Sequence, residues 1–325
     1  SRIVYKLSHS IPNAAYGFAT FEDYHADYMG TDIDRPFSLH NQITTNLESV
    51  QSSLSSITLH HGGDNHESAY EALYQGLTGL GYDQNGDGIY DPTTDVLPFI
   101  AKSEDVFGGT VDGTYDSGVA GSGTSGGFGF REGALPVIIY TTDWALRDPT
   151  WSSYNQPFER RTDDVVHASD DLGARLIGVA AGSLQPWNQM KDLAVRTGSV
   201  YDQNGDGTNN TPLAFYWNGS SETFCNTIVN AVEEMLASVT FDTVSAQVKG
   251  NDYGFNVVIE PPMYENVLVG TDGAELEFNV AIHGEVDALP QEQVFPMTLE
   301  IYGDDSTLLG TKDVTIRVPA VPNAN

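Results

Sequence analysis

The feature that most constrains the fold is an apolar, β-branched run at residues 135–143 that ends on a carboxylate, Asp143. Such a run predicts a parallel strand buried on both faces, and ligands of α/β proteins bind where such strands end. A second acidic segment, residues 61–67, ends on Glu67 and precedes apolar residues at helical spacing. We therefore expect Glu67 and Asp143 to converge at one sheet edge, as a site for a hard divalent cation requires.

Strand and helix patterns alternate up to residue 239. Strands are predicted at 14–21, 37–43, 137–141, 175–180 and 213–217, and helices after Asn46, at 163–172 behind Thr162, at 187–196 and after Ser220 or Ser221. This alternation predicts an α/β domain with a doubly wound, Rossmann-like sheet at 1–239. Residues 240–325 carry strand patterns at 255–259, 276–283, 297–302 and 313–318, which predict an all-β sandwich domain.

A long insertion, residues 76–134, separates the predicted site helix from the strand that ends at Asp143. Its second half, 108–130, is rich in Gly, Ser, Thr and Asp. Connections of this length are uncommon in compact domains, so we expect a functional or flexible surface loop. A tolerated insertion without function is the alternative.

The charge of the chain excludes some functions. Among 325 residues there are 14 Lys and Arg and a formal net charge of −31, which argues against nucleic-acid partners and anionic membranes. No apolar stretch is long enough for a membrane span, and the single Cys225 allows no intrachain disulfide. The acidic excess suits an exported, extracellular or cell-surface protein, or one that neutralises carboxylates with cations; solubility alone would also explain it.

Two copies of Asp-Gln-Asn-Gly-Asp-Gly resemble the first half of an EF-hand-type calcium loop. The candidate oxygen donors of the first copy are Asp83, Asn85, Asp87, the Ile89 carbonyl, Asp91 and Asp95, the last one residue past the usual bidentate position. Those of the second are Asp202, Asn204, Asp206, Thr208 and Asn210, without a late carboxylate. Neither copy lies between helices, so we expect structural Ca²⁺ sites in connections; hydrophilic turns without metal are the alternative.

Three segments, residues 16–23, 62–75 and 138–143, resemble the von Willebrand factor type A domain, specifically the integrin β-subunit version. In order and spacing the resemblance covers residues 1–239. It implies a metal-ion-dependent adhesion site that holds Mg²⁺ or Mn²⁺, in which Glu67 and Asp143 match two ligand positions. Without a metal, Glu67 would be a solvated helix-terminal carboxylate and Asp143 an ordinary strand-end residue.

The resemblance also implies a neighbouring Ca²⁺ site. Asp23, Asp64, the backbone carbonyl of His66 and Glu67 match its ligands, whereas Gly62 stands where the family has an Asn. The first adhesion-site motif of the family, Asp-x-Ser-x-Ser, occurs nowhere in the 325 residues. Residues 1–10 align with the tail of the family's first helix, so we expect the central strand and its motif to come from a preceding segment or another chain.

Together with these patterns, the resemblance implies a cation-dependent adhesion or protein-binding module of an exported surface protein. An acidic residue of a protein ligand would complete the metal coordination, and the chain would not be an enzyme. One alternative is a calcium-stabilised structural subunit of a surface filament or layer, whose partners are copies of itself or a neighbouring subunit. Another is a zinc hydrolase that uses His60, His61 and His66, although their spacing fits no HExxH pattern.

Overall fold

The computed structural model describes residues 3–11, 13–25, 29–31, 33–58, 63–89, 91, 94–99, 115–149, 158–204, 208–269, 274–287, 289–305 and 307–320. The chain is mixed α/β and splits into two compact units, Ser1–Met235 and Leu236–Asn325. The sequence pattern had predicted a boundary after residue 239. Among the residues that the structure describes, no helix has the length and apolar character needed to span a membrane.

The first unit alternates helices and strands. Its elements are α1 (Ile3–Ser10), β1 (Tyr16–Thr20), β2 (Ser38–Thr44), α2 (Leu47–Ser55), α3 (Ala69–Thr78), β3 (Val137–Thr142), α4 (Thr162–Leu172), β4 (Arg175–Ala181), α5 (Leu184–Arg196), β5 (Val200–Tyr201), β6 (Thr211–Pro212), β7 (Ala214–Trp217) and α6 (Ser221–Ala237), which runs across the boundary. All the strands and helices that the sequence predicted for this part of the chain are present, with ends that differ by a few residues.

A parallel sheet in the order β3-β4-β7 forms the centre of this unit. Strand β4 is buried through its middle, and Ile138 of β3, Leu176 of β4 and Leu193 of α5 belong to one hydrophobic core. The prediction that β3 is buried on both faces is wrong, because its buried residues alternate with half-buried and exposed ones and it lies at the edge of this sheet. Gly178 in the middle of β4 permits the close approach of α5, since a Cβ there would lie 2.8 Å from the Cβ of Met190. The carboxyl end of β3 leads directly into Asp143.

Strands β1 and β2 form a separate antiparallel pair. In the described part of the chain, no backbone hydrogen bond joins β1 to β3, although Phe21 and Ile43 pack into the same core as Ile138. The continuous doubly wound sheet that the sequence predicted is therefore divided in two.

Side-chain caps set several helix ends. Asn46 accepts a hydrogen bond from the Ser49 amide (3.1 Å), which confirms the predicted N-cap of α2. The prediction that Thr162 caps α4 is wrong, because Thr162 is already helical and the Asp164 carboxylate accepts a hydrogen bond from the Arg161 amide instead (2.8 Å). Helix α5 begins at Leu184, three residues before the predicted start.

The Gly-rich end of the long insertion is part of the core. Residues 115–134 are described, and in them the Phe128 carbonyl accepts a hydrogen bond from the Ile43 amide (2.7 Å) while Phe130 is buried. Gly127 lies against α3 so closely that a Cβ would overlap the Gln75 carbonyl oxygen. The glycines here permit close packing, so this portion is not the exposed surface loop that the composition indicated. Residues 100–114 of the insertion, which include the start of its Gly-rich half, lie outside the described residues.

The second unit is built from antiparallel strands: β8 (Thr240–Lys249), β9 (Asn256–Glu260), β10 (Met263–Leu268), β11 (Asn279–His283), β12 (Gln293–Gly303) and β13 (Thr307–Val318). They form a four-stranded sheet, β10-β8-β12-β13, and a two-stranded sheet, β11-β9. Strands β8 and β10 were not predicted from the sequence, because polar and charged residues interrupt their apolar ones. Val244 and Met297 are buried in this unit.

Candidate functional site

The loop that opens α3 lies beside the segment that follows β3. The Arg147 amide donates a hydrogen bond to the Glu67 carbonyl (2.8 Å), the Glu67 amide donates to the Ala145 carbonyl (3.4 Å), and Glu67 and Leu146 form a parallel bridge. Because Asp143 begins this segment, the structure brings the two predicted carboxylate-bearing segments together at the carboxyl end of β3. Ser68 is the N-cap residue of α3, so Glu67 stands immediately before the helix.

Glu67 lies in a strongly acidic environment. Burial, followed by the negative charges of Asp23, Asp143 and Glu22, raises its pKa to about 7, and the positive charge of Arg147 opposes this rise. Glu67 is half-buried, whereas Asp143 is exposed. This edge of the sheet therefore concentrates more negative charge than its one guanidinium balances, an environment that favours a bound cation.

Asp23, which follows β1, is buried and paired with Arg147. The Nε and Nη2 atoms of Arg147 donate to the two carboxylate oxygens of Asp23, at 2.9 and 2.7 Å, and the Ser68 hydroxyl donates to Asp23 Oδ1 at 2.6 Å. Burial raises the pKa of Asp23, and the hydrogen bond and charge of Arg147 oppose that rise. Such bidentate contacts are among the strongest hydrogen bonds in proteins.

Arg147 reaches two further oxygens. Its Nη2 atom lies 2.7 Å from Asp64 Oδ1 and donates to the His66 carbonyl at 3.1 Å. Burial alone would lower the pKa of Arg147, but the hydrogen bonds and charges of Asp23 and Asp64 raise it above its usual range. Arg147 therefore remains a cation.

The predicted neighbouring Ca²⁺ site does not fit this arrangement. Three of its four predicted donors, Asp23, Asp64 and the His66 carbonyl, already bind the Arg147 guanidinium. Sequence reasoning missed Arg147. The available signal was an arginine four residues after Asp143 in a chain with few basic residues.

The two carboxylates of Glu67 and Asp143 would suit Mg²⁺ better than a metal ion that needs a complete set of protein ligands. In the residues described between 3 and 320, no group of three or more His, Cys, Asp or Glu side chains could hold a metal ion. Mg²⁺ does not need such a group, because it retains several waters and commonly binds through one or two carboxylates. Glu67 and Asp143 would supply these two, leaving positions for water and a ligand.

A second buried carboxylate, that of Glu71, belongs to a hydrogen-bond network at the start of α3. One turn into α3, Glu71 accepts hydrogen bonds from the Tyr24 hydroxyl (2.8 Å) and the Gln75 side chain (2.7 Å). Burial raises the pKa of Glu71, and the Gln75 hydrogen bond opposes this. The Tyr24 amide donates to Ser68 Oγ (3.2 Å), so the network fixes the segment after β1 against the start of α3. Its members are dispersed in sequence and carried no motif.

The first calcium-type loop is organised by its own side chains. The Asp83 carboxylate accepts hydrogen bonds from the Gly86 and Gly88 amides, both at 2.7 Å. Asn85 accepts from the Asp87 amide (3.0 Å), and Asp87 in turn from the amide of Ile89 (2.8 Å). Gly86 and Gly88 have positive φ angles of 71° and 79°, which explains the glycines of the motif. The candidate ligands at positions 1, 3 and 5 therefore lie on one tightly turned loop.

Asp95 closes this loop. It is buried, and its two oxygens accept hydrogen bonds from the Gln84 amide (2.9 Å) and the Asp91 amide (2.7 Å). Tyr82 and Val96 then pair as an antiparallel bridge at the loop base. The structure thus shows Asp95 bonded to the backbone at both ends of the loop.

The second calcium-type loop connects β5 to β6, which pair as a short hairpin. The Asn210 amide donates to the Tyr201 carbonyl (3.2 Å) at its base. Asp202 and Asn204 lie on one side of the connection and Thr208 on the other, whereas Asp206 lies outside the described residues. Both copies of the motif therefore occupy connections closed by antiparallel pairing.

The histidine cluster is described only in part. His60 and His61 lie outside the described residues, as does Gly62. His66 is exposed; its amide donates to Asp64 (2.8 Å) and its carbonyl accepts from Arg147. In this arrangement the backbone of His66 serves the Arg147 contacts.

Comparison with known protein families and with curated proteins finds no match for this chain.

Proposed function

We propose that the chain is a divalent-cation-dependent adhesion or protein-binding module of an exported surface protein. In this proposal Glu67 and Asp143 hold one Mg²⁺ or Mn²⁺, and an acidic side chain of a protein ligand fills an open coordination position. The observation that carries it is the alignment of the Glu67 loop with the segment after β3, through hydrogen bonds between Arg147 and Glu67 and between Glu67 and Ala145.

We further propose that the fold is a von Willebrand factor A-like, Rossmann-type domain followed by a β-sandwich. The parallel strands β3, β4 and β7 end at a common edge, where ligands of α/β sheets bind. In the second unit, Phe255 beside β9 and Phe295 of β12 make an edge-to-face ring contact with centroids 5.2 Å apart. A contact between residues of the two sheets is expected in a sandwich.

The chemistry of the site favours a cation with an open position. Burial and then the negative charges of neighbouring carboxylates raise the pKa of Glu67, and a bound divalent ion would offset the repulsion among these carboxylates. Because the protein offers few ligands, a carboxylate from a partner can complete the coordination. Binding would then depend on the metal and be reversed by chelators. In this proposal the chain acts as a binding protein and not as an enzyme.

Titration of the full chain with Mn²⁺ by calorimetry, in Ca²⁺ to occupy the calcium-type loops, tests the metal site. We expect Glu67→Gln and Asp143→Asn each to abolish a Mn²⁺ site that the wild type and the matched control Asp171→Asn retain. Asp171 is exposed at the end of α4. Equal Mn²⁺ binding by all four proteins would refute the proposal.

The ligand is tested with an immobilised panel of peptides that carry one Asp or Glu, each paired with its Asn or Gln counterpart. The proposal predicts binding of acidic peptides in Mn²⁺, release by EDTA, and no binding by Glu67→Gln. Binding that persists in EDTA, or that does not distinguish Asp from Asn, would contradict it.

A second candidate is a calcium-stabilised structural subunit, whose partners are further copies of the chain or a neighbouring surface subunit. It is favoured by the Asp83 loop, in which one carboxylate organises two glycine amides. Light scattering separates the candidates: reversible assembly on adding Ca²⁺ that survives Glu67→Gln supports the subunit, and a monomer with or without Ca²⁺ supports the adhesion module.

A further inference from the structure

Arg147 is a buried cation surrounded by oxygen atoms. It is 3% exposed, as is Asp23, and its guanidinium contacts both oxygens of Asp23, one oxygen of Asp64 and the His66 carbonyl. Two carboxylates and a backbone carbonyl converging on one point are the donors that hard cations bind in proteins. We call these three groups the Asp23 pocket.

We propose that the Arg147 guanidinium is the resident cation of the Asp23 pocket and takes the place of a bound metal ion there. The chain then carries a permanent positive charge where the family resemblance implies a neighbouring Ca²⁺.

The oxygen atoms of the pocket cannot bind the guanidinium and a metal ion at the same time. Asp23 Oδ1 accepts from Arg147 Nε and from the Ser68 hydroxyl, and Asp23 Oδ2 accepts from Arg147 Nη2. A metal in the pocket would need these same lone pairs, so it can enter only if the guanidinium leaves. Leaving would strand a buried charge without its partner, which is strongly unfavourable.

The planar fork of arginine suits this role. Its Nε and Nη2 atoms match the two oxygens of one carboxylate, and Nη2 also lies within hydrogen-bond distance of Asp64 Oδ1 and the His66 carbonyl. Lysine would supply one point charge without this pattern. The Arg147 amide also donates to the Glu67 carbonyl (2.8 Å), so the same residue that fills the pocket fixes the backbone of Glu67.

The consequence is a Glu67–Asp143 edge that holds a single exchangeable ion, whose environment does not change with Ca²⁺ concentration. This consequence rests on the proposed function, whereas the occupancy of the Asp23 pocket does not.

Counting Ca²⁺ ions tests the proposal. Equilibrium dialysis of the full chain against Ca²⁺ is compared for wild type, Arg147→Ala, Arg147→Lys and the double variant Arg147→Ala with Asp23→Asn. We expect Arg147→Ala to bind one more Ca²⁺ per chain than wild type, and Arg147→Lys and the double variant to bind the wild-type number. A folded Arg147→Ala that gains no ion would overturn the proposal.

The single variant Asp23→Asn adds a test in which Arg147 is retained. We expect it to bind as many Ca²⁺ ions as wild type, since no ion occupies the pocket. Loss of one ion would show that a metal had been there and would overturn the proposal.

Wild-type crystals grown with Ca²⁺ provide a test without any variant, in case Arg147→Ala does not fold. Density for the guanidinium against both Asp23 oxygens supports the proposal; a Ca²⁺ ion in its place, with Arg147 turned to solvent, overturns it. Failure of the proposed function would appear instead as absent Mn²⁺ binding at Glu67 and Asp143, with these Ca²⁺ counts unchanged.

Discussion

Replacing Glu67 by Gln is expected to stabilise the first unit at alkaline pH when divalent cations are removed. Burial, with the charges of Asp23, Asp143 and Glu22, raises the pKa of Glu67 from 4.5 to about 7 in the folded chain. The folded state therefore prefers the protonated form. The stability that this preference provides is complete below pH 4.5 and is lost as the pH rises to about 7.

The magnitude follows from the pKa values. At about 1.4 kcal/mol per pKa unit, a rise from 4.5 to about 7 corresponds to about 3 kcal/mol. Glu67 keeps part of its surface in solvent, and screening there reduces the expected loss to about 2 kcal/mol. Gln cannot ionise, so the variant should escape this loss, and at about pH 8 in EDTA it should be the more stable protein by a similar amount.

Tryptophan fluorescence during urea unfolding provides the assay. All four tryptophans, at 144, 151, 187 and 217, belong to the first unit, so the signal does not mix the two units. Wild type, Glu67→Gln and the control Glu48→Gln are compared at about pH 5 and about pH 8 in EDTA. Glu48 is an exposed carboxylate in the first turn of α2. Adding Mg²⁺ at the higher pH should restore the stability of wild type and leave Glu67→Gln unchanged.

Equal losses of stability by wild type and Glu67→Gln between the two pH values would contradict this prediction. Such a result would mean that the charge on Glu67 costs the folded chain nothing. A loss shared by the Glu48 variant and wild type is expected, because Glu48 takes no part in the site.

Three further predictions follow from the packing and the loops. Gly127→Ala should cost about 3 kcal/mol in urea unfolding, because its Cβ would overlap the Gln75 carbonyl; an unchanged midpoint would show that the Gly-rich segment is not packed as described. Asn46→Ala should cost about 1 kcal/mol through loss of the cap on the Ser49 amide, and Asn46→Asp should retain most of it, whereas equal losses would contradict a capping role. Asp83→Ala should remove one Ca²⁺ in equilibrium dialysis, and an unchanged count would identify the first loop as a turn without metal.

Local sequence patterns were sufficient for much of the first unit. The β-branched run before Asp143 forms the predicted strand, although only one of its faces is fully buried, and Asn46 before an apolar helical pattern is a capping signal with a local cause. The helix after Glu67 was predictable in the same way. These features depend on contacts within a few residues, or on burial alone.

Other features depend on contacts that no local pattern contains. Arg147 meets Asp23 across 124 positions of the chain, so its role required the fold. Strand β8 was missed because its polar residues alternate with partly buried ones instead of forming an apolar run. The Gly-rich segment was misinterpreted because composition cannot distinguish a glycine that permits close packing, such as Gly127, from one in a loose loop.

The proposed adhesion site requires Glu67 and Asp143 to bind one ion between them. Anomalous diffraction from crystals of the full chain soaked in Mn²⁺ tests this directly. We predict a Mn²⁺ peak coordinated by a carboxylate oxygen of Glu67 and one of Asp143, with further positions held by water. A peak absent from this edge of the sheet, or two carboxylates directed to different parts of the surface, would contradict the central claim.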